Sequence, residues 1–126
     1  MKLPLTSHRG IEHVPCKVEG IATECDIDLG YGSEVLVGRA FAEKHGLHRS
    51  ERIIEKKQGG GIGGSLVRDI IVLKDLELAG MKFENVRGAI DPQPTAGEMN
   101  IGTSELRRFV LVIDYAGRAV WFRERK

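Results

Sequence analysis

Between residues 13 and 27, apolar and polar positions alternate with a period of two. Val14, Cys16, Val18, Ile21, Cys25 and Ile27 share one face, and His13, Lys17, Glu19, Glu24 and Asp26 share the other. This is the signature of a half-buried β-hairpin. Glu19-Gly20 supplies its two-residue turn, since glycine admits the positive φ needed there. Asp28 keeps the parity of the polar face, so it emerges away from the core where the strand breaks into Leu29-Gly30.

The pattern then changes repeatedly. Residues 34–37 are short and extended. A helix is expected from Gly38 to His45, with Gly46 as its stop and Leu47 as the apolar residue that follows such a stop. Residues 52–57 and 65–73 read as strands joined by the glycine run 59–64. Residues 76–78 and 81–90 continue the β pattern around Ala79-Gly80, and 91–97 form a loop. A short helix is expected over 104–108, with Thr103 or Ser104 as its cap. Residues 109–115 and 118–123 make a closing hairpin around Ala116-Gly117. Without βαβ alternation, the expectation is an all-β fold: a small closed, mostly antiparallel β-barrel with two short helices.

The chain has 126 residues, enough for one domain with a single core. Residues 1–12 are expected as a flexible N-terminal arm and 13–126 as one lobe. Nineteen basic residues nearly cancel eighteen acidic ones, so bulk charge favours neither nucleic acid nor an anionic membrane. The basic end (Arg118, Arg123, Arg125, Lys126) reads as a solvated tail. No apolar run approaches a membrane span and the start lacks the apolar core of a signal peptide; the expectation is a soluble protein of unassigned compartment. A start of this kind is compatible with a processed precursor, including one of periplasmic origin.

In the hairpin register, Cys16 faces Thr23 and Val14 faces Cys25, so the two cysteines lie on a diagonal at about 7–8 Å between Cα atoms. That exceeds the usual reach of a disulfide, and two reduced buried thiols are the expectation. The four histidines (His8, His13, His45, His48) are scattered without a tight pair, and no metal site is assigned. Gly59-x-Gly61-x-x-Gly64 matches a dinucleotide fingerprint in letters only, because a β-branched strand follows where a helix is needed. Ser33 lacks a strand–Ser–helix elbow and Cys16 has no base beside it, which argues against a serine or cysteine hydrolase. Trp121 and Phe122 read as core or dimer-interface residues.

Three features in order carry a resemblance over residues 13–122. They are the turn Asp28-Leu29-Gly30-Tyr31, the glycine run 59–64, and Asn100-Ile101-Gly102 before the last helix and the hairpin holding Ile113-Asp114-Tyr115. No one of them is specific alone; together they resemble the retropepsin-like aspartic proteases, especially bacterial single-lobe or tandem-lobe members. The resemblance implies that Asp28 is catalytic and that Gly30 and Tyr31 lie against substrate. It also implies that Gly61, Ile62 and Gly63 form the tip of a flap over bound peptide, with no cofactor required. The chain has a single Asp-x-Gly turn followed by an apolar run, so a dyad requires a homodimer or a companion lobe. Two positions depart from the family pattern. Leu29 replaces a Thr or Ser whose hydroxyl bonds across to the other lobe, and Tyr31 replaces a small residue. The expected function is an aspartic peptidase lobe acting on peptides or proteins. The alternative is an inactive lobe that dimerises or binds peptide.

Overall fold

The computed structural model describes residues 1–8, 11–29, 34–61, 64–93 and 96–125. Most of it is strand: β1 (Lys2–Pro4), β2 (Thr6–His8), β3 (Ile11–Val18), β4 (Ile21–Ile27), β5 (Val35–Gly38), β6 (Ile53–Gly61), β7 (Gly64–Leu78), β8 (Met81–Asp91), β9 (Met99–Ile101), β10 (Phe109–Asp114) and β11 (Ala119–Glu124). Two helices interrupt them, α1 (Arg39–Lys44) and α2 (Thr103–Leu106). The all-β class is as expected. None of the helices described is long and apolar enough to cross a membrane.

Eight strands form one sheet in the order β2-β3-β4-β9-β5-β8-β7-β6. A further pairing of Lys17 with Glu77 and Val18 with Leu76 joins β3 to β7, so the strands return on themselves in a ring. The sheet is not wholly antiparallel, because β4 runs parallel to β9 and β5 parallel to β8. Val14, Val18, Cys25, Val37, Leu73, Leu76, Leu78, Met99 and Ile101 fill the interior with no exposed surface. These are the inward-parity residues of their strands, and burying them supplies most of the drive to fold.

Two hairpin turns form where glycine permits them. Glu19-Gly20 and Ala79-Gly80 all have positive φ, with Val18 opposite Ile21 and Leu78 opposite Met81, as a two-residue turn of the primed type demands. Helix α1 ends as expected: Gly46 takes a φ of +69° and the Leu47 amide donates to the Ala42 carbonyl at 2.8 Å. Leu47 is then tucked into the core.

Several expectations are corrected. Helix α2 starts one residue early, so Gly102 occupies the cap position and no side chain caps the helix. The closing turn spans residues 115–118, with the Asp114 carboxylate accepting from the Gly117 amide at 2.8 Å. The N-terminal stretch carries two strands: β1 pairs with β11 and β2 with β3, while Leu5 between them is buried. The cysteines form a disulfide with Cα atoms 6.0 Å apart. The hairpin register is the one read from sequence, but the right-handed twist of a strand pair shortens one diagonal, bringing it within bridging range.

Three further strands form a smaller sheet in the order β1-β11-β10. Its inner side packs Phe109 edge-on against Phe122, with ring centres 5.2 Å apart. On its outer side Trp121 is half-exposed beneath the Lys2 ammonium.

Candidate active site

Asp28 owes its position to a parallel pairing that sequence order conceals. Strand β9 inserts between β4 and β5, with Cys25, Asp26 and Ile27 opposite Met99, Asn100 and Ile101. Strand β5 runs antiparallel to β9. The chain leaving β4 therefore enters β5 from the end at which β9 finishes. Asp28-Leu29 and Ile101-Gly102 thus lie side by side, and the Asp28 amide donates to the Ile101 carbonyl at 2.9 Å. Asp28 and Leu29 are exposed, Leu29 to 57%, whereas Ile101 and Gly102 are buried. Two motifs some seventy residues apart are in this way adjacent, the carboxylate on the outside and an apolar strand end beneath it. Gly30 and Tyr31 lie outside the described residues, as do Ile62 and Gly63.

The polar face behind Asp28 is organised rather than simply solvated. Asp26 is 8% exposed and its carboxylate lies 3.2 Å from His13 Nε2, its direct cross-strand neighbour. The loop returning from β8 covers it closely enough that a Cβ on Gly97 would strike the carboxylate. Thr23 Oγ1 donates to Glu98 Oε1 at 2.5 Å, a second tie from β4 to that loop. Both ties hold the strand that leads into Asp28.

Glycines 59–61 and 64 do not form a loop. They continue the ladder of β6 with β7 to its last pair, Gly61 with Gly64, so a long hairpin extends from the sheet. Because β7 is a strand, the dinucleotide reading fails. One face of this hairpin meets the segment after Asp28: Lys57 Nζ bonds the Glu34 carboxylate at 2.8 Å. The other face is anchored at its base, where Asp69 binds Lys56 at 2.7 Å and His48 at 2.6 Å. Lys56 first, then His48, holds the Asp69 carboxyl below its ordinary range. Sequence reading passed over Glu34, Lys57 and Arg68; the period-two spacing of Lys57 and Arg68 within their strands was the available signal.

Glu105, on α2 just past Gly102, lines a cavity of about 1080 Å³ between β8 and the chain end. Its Oε1 is buried with no hydrogen-bond partner among the described residues. Burial pushes its carboxyl above the ordinary 4.5.

No protein-family model matches the sequence, and no curated protein does. Solved structures do. A retropepsin-like aspartic protease from Rickettsia conorii superposes with a TM-score of 0.73 at 18% identity, covering 97% of this chain and 88% of that one. The retroviral protease-like domain of Ddi1 from Leishmania major gives 0.55 at 21% identity, covering 87% and 86%. The protease of simian foamy virus (mac) gives 0.55 at 20% identity, covering 75% and 91%. At such identities the likeness is one of fold, and it extends over nearly the whole chain. The protein has the fold of the retropepsin-like aspartic proteases.

Proposed function

We propose that this chain is an aspartic peptidase lobe that hydrolyses peptide bonds once a second lobe supplies the matching carboxylate. The observation that carries this reading is the exposed Asp28 beside the buried Ile101-Gly102, on a fold shared with aspartic proteases. Two such carboxyls a few ångströms apart cannot both ionise, so they share one proton across a water molecule. The ionised member takes a proton from that water as its oxygen attacks the scissile carbonyl, and the protonated member donates to the developing oxyanion. The two titrations belong to the pair rather than to Asp28 alone. Substrate lies extended in the cleft, as an added strand, with Gly30 and Tyr31 beneath it and Gly61, Ile62 and Gly63 at the tip of the flap above. A homodimer is the simplest source of the second lobe, because a two-fold axis sets the same patch against itself.

An inactive lobe that dimerises or binds peptide is the second reading, and Leu29 favours it. This apolar side chain, exposed beside Asp28, has no hydroxyl with which to tie the two lobes together.

The test pairs mass in solution with a peptide-cleavage assay between about pH 3 and 7. Asp28→Asn should lower kcat/KM by roughly 10³-fold or more while leaving the fold intact. Wild-type dimer that cleaves nothing beyond what Asp28→Asn cleaves would rule out the enzyme and leave the binding module.

A further inference from the structure

The two faces of the β6–β7 hairpin treat charge in opposite ways. On the outer face Lys56 stands directly across from Asp69, an opposite-charge pair bonded at 2.7 Å. This is the arrangement that stabilises a ladder. One position along, on the face that meets Glu34, Lys57 stands directly across from Arg68. Like charges in register destabilise a strand pair, and the Glu34 carboxylate is bonded to Lys57. The Arg68 side chain is half-buried, and its Nε is fully buried with no hydrogen-bond partner among the described residues. Structural economy alone would put an acid or a neutral residue at that position, since burying an uncompensated guanidinium costs stability.

We infer that Arg68, with Lys57 beside it, forms a cationic subsite on the cleft-facing side of the hairpin that selects peptides bearing an acidic side chain near the scissile bond. The inference rests on the peptidase reading above and names its substrate class. An extended peptide beneath the hairpin runs past the Lys57–Arg68 pair, and side chains of one parity point at it. A Glu or Asp of that parity gives the guanidinium the two-oxygen partner its planar fork fits. Glu34 already holds Lys57, so Arg68 is the group that binds. Peptides with Lys or Arg at the same position meet two cations and are rejected.

The experiment uses peptides that differ only in carrying Glu, Gln or Lys, placed in turn at each position flanking the scissile bond. At one position wild type should favour Glu by roughly ten-fold in kcat/KM, and the preference should shrink with added salt. Arg68→Gln should level the ratio, Arg68→Glu should shift it toward Lys, and Arg68→Lys, which keeps the charge, should retain part of it. Lys56→Gln, on the opposite face, should leave the ratio unchanged. Cleavage without a Glu preference at any position, or a preference that survives Arg68→Gln, overturns the subsite and leaves the peptidase standing. If nothing is cleaved, the same ratio is read from binding of uncleavable reduced-amide versions of the peptides by fluorescence anisotropy. Absence of both cleavage and binding sinks the peptidase reading, and the subsite with it.

Discussion

At the scale of single residues, the site region departs from what stability alone would choose. Leu29 exposes a large apolar side chain beside Asp28, where a hydroxyl could bond across a two-fold axis. Leu29→Thr removes that exposed surface and restores a donor and acceptor on each lobe. A net hydrogen bond is worth about 0.5–1.5 kcal/mol. The dimer should therefore tighten roughly 3–10-fold in analytical ultracentrifugation, with activity rising alongside; unchanged association would count against the cross-lobe role. Glu105 departs differently. Burial raises its carboxyl above the unfolded value, so the folded state holds the proton longer. Its ionisation therefore weakens the fold as pH rises through and above the ordinary carboxylate range. Glu105→Gln should raise the melting temperature at neutral pH by about one to three degrees. The gain should vanish below about pH 4, where the native glutamic acid is itself neutral.

Among the elements, strand β4 is the one on which the candidate site depends. It is bound to β3 by the Cys16–Cys25 bridge and the His13–Asp26 pair, to the loop between β8 and β9 by Thr23–Glu98, and to β9 by the parallel ladder. Its last residue, Ile27, leads directly into Asp28. Closing so short a loop is worth at most about 2–3 kcal/mol. Reduction, or the paired change Cys16→Ser with Cys25→Ser, should accordingly lower the melting temperature by roughly 5–10 °C. The two serine hydroxyls add a burial cost that reduction does not, so the double mutant should melt below the reduced protein. Equal melting with and without reductant would mean that the bridge does not restrain the unfolded chain. The β6–β7 hairpin contrasts with β4. It is fixed at its base by Asp69 with Lys56 and His48, and its last registered pair is Gly61 with Gly64.

For the whole molecule, one lobe carries one Asp-x-Gly turn with an apolar run after it, and the proposed chemistry needs two. Specific activity should therefore fall on dilution, as dimers separate. Mixing wild type with an equal amount of Asp28→Asn should lower activity per wild-type chain to about one half, because random pairing puts half of those chains into mixed dimers. Activity that stays proportional to wild-type concentration in that mixture would mean the site is complete within one chain.

Much of this was legible in the amino-acid order, because the interactions concerned are local. Period-two alternation marked β3 and β4, Glu19-Gly20 and Ala79-Gly80 marked the β3–β4 and β7–β8 turns, and Gly46-Leu47 marked the end of α1; backbone geometry within a few residues determines each. What lay beyond reach needed contacts between distant segments. No local signal says that β9 inserts between β4 and β5, so the meeting of Asp28 with Ile101-Gly102 appeared only as a resemblance. The N-terminal strands were missed because their polar residues gain order only by pairing with β11 and β3. The disulfide was missed because an untwisted ladder overstates one diagonal. Sequence alone thus determined the class of the fold and the residue to suspect. Tertiary structure decided what surrounds that residue, because pairing partners, twist and burial are properties of the assembled sheet.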